Sequence, residues 1–407
     1  MKKQTITVLY HYAQYIAITL SLWLTTAGYS SRFDNEDISH KIFWSVYGVG
    51  VLGLQMHSTG PLTSPNSVYF AFFLSLIYVI LSFQWLMCGI ALRRCRLYCL
   101  MQTVIMLVVA AIAFAASSTP NLDHRNRLFW TLGLSYPAEI VFSLIWQEVA
   151  INTVYRDMTY EEARKETDLP LHIQFHIDRF STLTMMVLGQ LAVAVVWHPE
   201  DGFGDITGLY VSAGCTFVSL VSLKILIFDI DFLDPEDHAI RRSRISGLIW
   251  LLIYPAGLAC LALMGIGMAL LVAEAGAINA VPEGSLKYRQ YLTCLSLCAF
   301  LVIGTILRQL HRTPFVRQLR LYRQYERAIL VGRIHTIQSS VQILAAVIFA
   351  VLPACKVSAL MMLKMIAGTL LCIIGVNFID EIALLQTVKK AREATRHNSF
   401  DTKAEFF

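Results

Sequence analysis

The chain has 407 residues, 56% hydrophobic and 15% charged, with a formal net charge of +5 and a mean hydropathy of +0.57. That composition excludes an ordinary soluble globular domain, and the longest polar gaps, about 30 residues, are too short to fold separately. The positive charge lies beside apolar segments and not on a basic folded surface, so no nucleic-acid partner is expected.

Apolar stretches of a length that spans a bilayer as helix fall at 8–28, 42–58, 67–92, 97–117, 128–150, 180–198, 207–231, 246–273, 291–307, 336–353 and 357–378. The fold class that follows is all-α, a polytopic integral membrane helix bundle of about 11 transmembrane helices. Residues 1–380 form one transmembrane domain and 381–407 a polar cytoplasmic tail. Numbering the gaps from the N-terminus sorts the basic residues by parity. The N-terminus and even gaps hold 7 Lys and Arg, the odd gaps and C-terminus 24. Only Lys224 and Lys364 fall inside apolar stretches. A mis-drawn helix would swap every later gap and blur this split. The positive-inside rule then puts the N-terminus on the lumenal or extracellular side and the C-terminus in the cytoplasm, in an endoplasmic reticulum or plasma membrane.

In chain order, the first stretch follows Lys2 and Lys3 but lacks a small-residue cleavage site, so it is expected to remain as a helix. It ends in Trp23, Thr25, Thr26, Tyr29, Arg32 and Phe33, then the acids Asp34, Glu36 and Asp37. This is either an interfacial anchor with a surface ion pair or a polar site at the cytoplasmic face. Arg93, Arg94 and Arg96 make a tight basic turn between the third and fourth stretches. The fifth carries Glu139 just after Pro137, which frees a carbonyl because it has no N–H. An acid at that depth is neutral or paired with a cation, Lys224 and Lys364 being the deep cations. Glu148 lies on nearly the opposite face. Residues 151–179 hold the mixed charges of Glu161, Glu162, Arg164, Lys165 and Glu166, which predict a short solvated helix.

Asp178 and Arg179 open the sixth stretch, and Gln190, deeper in it, is expected to face the bundle interior. Asp229, Asp231, Asp234, Glu236 and Asp237 are dense enough to hold Mg²⁺ against a diphosphate. They match neither DDxxD nor NxxxD, and an Arg-paired solvated loop is the better reading. The segment 308–335 reads as a basic amphipathic helix on the anionic leaflet or as a charged connector. His11, His57 and His198 fall at the outer ends of three stretches and could share one level. The nine Cys make no disulfide framework. No nucleotide-binding, zinc-protease or serine-hydrolase motif is present. No cofactor or metal is expected.

Two of these places carry a family resemblance. Trp23, Thr26, Tyr29, Arg32, Phe33 and Asp37 resemble the W-x-x-T-x-x-Y-x-x-R-F-x-x-x-D stretch of the bacterial low temperature requirement protein A family. Asp178-Arg179-Phe180 and Val187-Leu188-Gly189-Gln190 resemble its E-R-F/Y-G-L…V/A-L-G-E stretch, and Phe228-Asp229 its Y-F-D. Asp178 stands for the family's Glu, Ser181 for its Gly and Gln190 for its closing Glu, so a titrating role at position 190 is lost. The family's opening E-L-F-F-D-L helix is missing.

The resemblance extends to divergent fungal membrane proteins that serve as terpene cyclases in meroterpenoid pathways. It implies a membrane-embedded cyclase, starting a cation cascade on a lipid-soluble prenylated substrate with a buried neutral acid and aromatic faces. On that reading Glu139, Asp178 and Arg179 are the catalytic residues. Trp23, Tyr29, Arg32, Asp37, Trp146, Gln190 and Asp229 bind substrate. Trp130, Tyr136, Phe180 and Tyr254 add aromatic surface. Besides the substrate, the expected partners are membrane lipids. The alternative is a membrane transporter, channel or sensor of that family.

Overall fold

A computed structural model describes residues 2–33, 37–58, 60–167, 169–196, 206–231, 238–276, 283–311, 325–355, 357–379 and 386. Every regular element among them is helical. The chain divides into two compact units, residues 1–176 and 177–407.

The first unit contains α1 (Lys2–Ser30), α2 (Ile38–Met56), α3 (Ser67–Ala91), α4 (Arg96–Ser118), α5 (Leu122–Gly133), α6 (Ser135–Thr153) and α7 (Tyr160–Thr167). It also holds the first turn of α8 (Ile173–Val196). The second unit holds the rest of α8, then α9 (Ile206–Asp231), α10 (Ala239–Arg242), α11 (Arg244–Ala275) and α12 (Glu283–His311). It closes with α13 (Tyr325–Val351) and α14 (Ala359–Ile379). Short 3₁₀ turns at Arg93–Cys95 and Leu352–Ala354 join α3 to α4 and end α13. Pro353 sits in the latter, where a residue without an N–H stops a helix.

Among the described residues seven helices, α3, α4, α9 and α11 to α14, are long and apolar enough to cross a membrane. The pair α5 and α6 passes the same test as one span bent by 55°. The other three expected stretches, α1, α2 and α8, are helices of 29, 19 and 24 residues. They carry more polar side chains and fall short of that test. The protein is thus a multi-helix integral membrane protein. It points Ile42, Val49, Leu52, Phe83, Val104, Leu107 and Phe142 outward, a surface that suits lipid and not water. Its buried positions include polar ones, among them His11, Gln14, Ser21, Thr25 and Gln102.

In the first unit α3 packs along α4, α2 lies against α3, and α1 rests on α5 and α6. The core is built from Ile18, Leu22, Phe70, Leu74, Ile77, Leu81 and Phe129. The loops of this unit sort into two ends. At one, the His172 amide donates to the Ser31 carbonyl (2.9 Å), and Arg94 meets Glu166 (3.3 Å). At the other, Tyr15 donates to the Gly60 carbonyl (2.7 Å). There Arg125 bridges the Thr119 carbonyl and the Ser67 hydroxyl (2.7 and 3.1 Å). The loops after α1, α3 and α6 thus share one end, and those after α2 and α4 the other.

The bend between α5 and α6 has a definite cause. Pro137 has no N–H for the carbonyl four residues back, that of Gly133. A bare carbonyl in an apolar interior is costly, and the Ser21 hydroxyl donates to it at 2.7 Å. Close approach permits this, since a Cβ on Gly133 would lie 2.9 Å from the Ala17 Cβ. Ser21→Ala should therefore lower stability by about 1–3 kcal/mol, the cost of one unsatisfied buried acceptor. Thermal unfolding in detergent would measure it, and an unchanged midpoint would show that the carbonyl has another partner.

In the second unit α11 packs on α12, α12 on α13, and α9 on both α11 and α12. Phe180, Trp250 and Tyr254 form an aromatic cluster with centroids 4.9–5.1 Å apart. Tyr254 shares a 2.9 Å hydrogen bond with Thr184.

Candidate functional site

The site grows from the helical repeat of α1. Residues 11, 14, 18, 21 and 25 recur at intervals of three and four, so they share one face, and all five are buried. Ile18 apart, that face is polar. Gln14 donates to Asn126 on α5 (2.7 Å) and interacts with His11 (3.1 Å). Ser21 meets the Gly133 carbonyl at the bend. Thr25 donates to the Glu139 carboxyl on α6 at 2.8 Å. At the end of the helix, Tyr29 turns to a different set of partners. From His11 to Thr25 the helix rises ~21 Å, about two thirds of the hydrocarbon thickness of a bilayer. A polar seam, interrupted at Ile18, therefore lies between α1 and the bent α5–α6 helix, with Glu139 just beyond the bend.

The sequence offered Lys224 or Lys364 as a cation for Glu139. Those two lysines belong to the second unit; within the first unit Glu139 has Thr25 as a hydrogen-bond donor and Arg32 as a cation in electrostatic range. Arg32 donates to the Gly28 carbonyl (2.8 Å) and lies over the Tyr98 ring, 5.6 Å from its centroid. Tyr98 and Ser143 each hydrogen-bond Gln102. A groove of about 630 Å³ lined by Arg94, Tyr98, Glu161, Arg164, Glu166 and Leu169 opens at the same end. Tyr98 thus both lines the groove and stacks with Arg32.

Tyr29 is fully buried. Its hydroxyl is 2.7 Å from His40 Nε2 and 3.3 Å from Cys88 Sγ. His40 Nδ1 lies 2.8 Å from both Asp37 carboxylate oxygens. Asp37 is the N-cap of α2 and accepts the His40 backbone N–H (2.7 Å). That bond first, then those from Ser39 and the His40 ring, draw the Asp37 carboxyl down to about 2. A depressed carboxyl stabilises the fold above its ordinary value of 3.8, and the contribution is lost as pH falls through about 2. Between those values wild-type protein should lose stability faster than Asp37→Asn. Unfolding midpoints of both proteins across that range would check it, and parallel profiles would remove Asp37 as a cap.

Behind Arg32, the Ser31 hydroxyl donates to the Ala27 carbonyl (2.6 Å) and so receives the His176 Nδ1–H (3.0 Å). Burial first, and Arg32 second, hold His176 down to about 3, so it is neutral.

The other predicted positions fall as follows. Trp23 and Trp146 are half-buried on α1 and α6. Glu148 is half-buried and accepts from the Tyr160 hydroxyl (3.1 Å). The helix expected to open at Asp178 and Arg179 starts earlier, at Ile173, because the His172 ring accepts the Phe175 amide (3.0 Å) and caps it. Asp178 and Arg179 are exposed in its second turn. Gln190 does not face the interior. It is exposed, while Thr184, Leu188 and Leu191 are buried. Two residues past Leu188 is about 200° around a helix, so the same face cannot hold both.

The aromatic residues divide between the units, Tyr29, Trp130 and Tyr136 in the first, Phe180 and Tyr254 in the second. His57 stacks on Tyr69 and Phe73. His198, residues 232–237 with Asp234, Glu236 and Asp237, residues 312–324 of the basic 308–335 segment, the tail apart from residue 386, and the side chains of Asp229 and Asp231 lie outside the described residues. Ser21, His40 and Tyr98 were missed by sequence reading, and Thr25 was noted only among the residues that end the first stretch. The signal for His40 was present, since it stands three residues after an Asp that precedes a helix, a capping interval.

No curated protein matches the chain, and no solved structure does. The family model described as bacterial low temperature requirement A protein (LtrA) matches residues 1–377. That span includes α1 with its Trp23–Asp37 motif, the bent helix that carries Glu139, and α8. The chain belongs to the bacterial low temperature requirement A protein family.

Proposed function

We propose that this protein carries protons, alone or coupled to a solute, along the seam between α1 and the bent α5–α6 helix, with Glu139 as the group that gains and loses the proton. One observation carries this reading: a half-buried carboxyl, held by Thr25 just past a helix break, meets a polar face of α1 that runs ~21 Å along the helix. Broken helices at membrane depth are tolerated where they line a cavity or a pathway, and intramembrane acids mark such paths. In this reading all eleven stretches cross the membrane and the N-terminus is lumenal. Tyr29, Arg32 and the groove at Tyr98 then face the cytoplasm. The exchange of the family's Glu for Gln190 does not bear on this path, because Gln190 is exposed and Glu139 is not part of that motif.

A second reading, the terpene cyclase of a meroterpenoid pathway, is favoured by the aromatic cluster beside the same seam. Tyr29, Phe33, Trp44 and Trp85 pack with centroids 5.1–6.3 Å apart, faces that would stabilise a carbocation. Glu139 would then protonate an olefin or epoxide of a prenylated phenol arriving from the bilayer.

The two are separated by one preparation. Purified protein in liposomes loaded with a pH-sensitive dye should collapse an imposed pH gradient faster than empty liposomes, and Glu139→Gln should not. Gradient decay equal to that of empty liposomes would reject proton transport. New products from prenylated phenols or their epoxides, read by mass, would establish the cyclase.

A further inference from the structure

We infer that the groove lined by Tyr98 binds the headgroup of a zwitterionic lipid that carries a primary amine, with Arg164 taking the phosphate and Glu161 the ammonium. The site belongs wholly to the first unit and does not depend on what Glu139 does. The groove holds about 630 Å³, within the size range of small-molecule sites. Its lining comes from two places. Arg94 and Tyr98 belong to the turn between α3 and α4 and to the start of α4, and Glu161, Arg164 and Glu166 to α7, with Leu169 just after it.

The charges of the lining balance, two Arg against two Glu, and they are not equally engaged. Arg94 meets Glu166 (3.3 Å) and braces the turn against α7. Glu161 and Arg164 are exposed, and among the described residues neither has an ion-pair partner. The placement follows from the helical repeat. Ala163 and Thr167, four residues apart, are buried and seat α7, which leaves Glu161 and Arg164 on its open face. Two residues three apart on a helix have Cβ atoms ~5–6 Å from one another. An open cation and an open anion at that spacing match a ligand whose own charges stand a two-carbon linker apart, as phosphate and ammonium do in an ethanolamine headgroup.

The donor and acceptor inventory narrows the ligand further. A phosphodiester accepts from the planar guanidinium fork of Arg164, and Arg94 keeps N–H groups beyond the one that Glu166 takes. A primary ammonium brings three N–H donors, as Lys does, for a carboxylate that only accepts. A trimethylammonium brings none. A headgroup with negative charge alone would leave Glu161 facing a like charge, and discrimination is a difference of this kind. The level of the groove argues for a lipid over a soluble solute. Both α3 and α4 are long and apolar enough to cross a membrane, and the turn that joins them is part of the lining, so the groove lies where headgroups lie. Leu92 and Leu100, on either side of that turn, are exposed and suit acyl chains.

The test is lipid binding by the full-length protein in detergent, counted as bound-lipid adducts by native mass spectrometry. Phosphatidylethanolamine should bind about tenfold more tightly than phosphatidylcholine or phosphatidylglycerol, the worth of one hydrogen bond to a charged group. Glu161→Gln should erase the preference for ethanolamine over choline, and Arg164→Gln should weaken both zwitterionic lipids. An unchanged thermal midpoint in each variant shows that the fold is kept. Arg127→Gln, near the opposite end of the unit, is the control and should bind as wild type does. Equal affinity for the three lipids, an ethanolamine preference that survives Glu161→Gln, or undiminished binding in Arg164→Gln would overturn the site. Glycerophosphoethanolamine, the same headgroup without acyl chains, should compete only weakly. Competition as strong as that of the intact lipid would overturn the lipid assignment in favour of a soluble amino phosphate.

Discussion

Glu139→Gln should slow gradient collapse by about 10²-fold or more while leaving expression and membrane insertion intact. Gln matches Glu in size and keeps an oxygen to accept from the Thr25 hydroxyl, bonded at 2.8 Å in the native protein. It removes only the proton. A general acid or base in place is worth roughly 10²–10⁴-fold, and its amide replacement supplies none of that. Thr25→Val should have a smaller effect, because it misplaces the carboxyl without removing it. Arg32 gives the control for a purely structural role. If Glu139 served only to balance Arg32, Glu139→Gln would leave that cation short of its counter-charge and the protein would express poorly. The double change with Arg32→Met would then restore yield. Full flux with normal yield in Glu139→Gln would remove Glu139 from both roles. In the cyclase reading the same substitution should abolish product, so the variant informs whichever assay responds.

The largest effect on stability is expected in the second unit, where α11 meets α12. A Cβ added at Gly267 would lie 2.9 Å from the backbone nitrogen of Thr293, and closer still to its hydroxyl oxygen. Backbone cannot yield as a side-chain tip can, so the helices must separate. Membrane helices gain little from hydrophobic burial and depend on close packing. Gly267→Ala should therefore cost about 1–3 kcal/mol and Gly267→Leu more, read as a lower unfolding midpoint and loss of the monodisperse peak in detergent. Gly304 on α12 provides the contrast, with open space where its Cβ would go. Gly304→Ala should be neutral or stabilising by up to about 1 kcal/mol, the helix-propensity gain of Ala over Gly. Equal behaviour of the two variants would mean that α11 and α12 are not this close.

Much of the architecture was legible in the sequence, since a membrane helix is fixed by local composition. Length, apolar runs and the one-sided Lys and Arg identified a polytopic bundle, and the solvated helix at 160–167 followed from its mixed charges. Pro137 announced a freed carbonyl near Glu139 because a missing N–H is a property of the residue itself. The Trp23–Asp37 motif led to the family, since its spacing is a string that needs no fold to be read.

What only the tertiary structure decided is partnership, because it depends on which faces of distant segments meet. Nothing local says that Ser21 closes the Gly133 carbonyl, that Thr25 holds Glu139, or that Arg32 lies within electrostatic range of it. Tyr29 and Asp37 stand eight residues apart in one motif, and only the turn into α2 brings His40 between them. Gln190 shows the same limit from the other side. Its polarity argued for an inward face, but the face is set by which of Thr184, Leu188 and Leu191 the helix buries, and those three leave Gln190 outside.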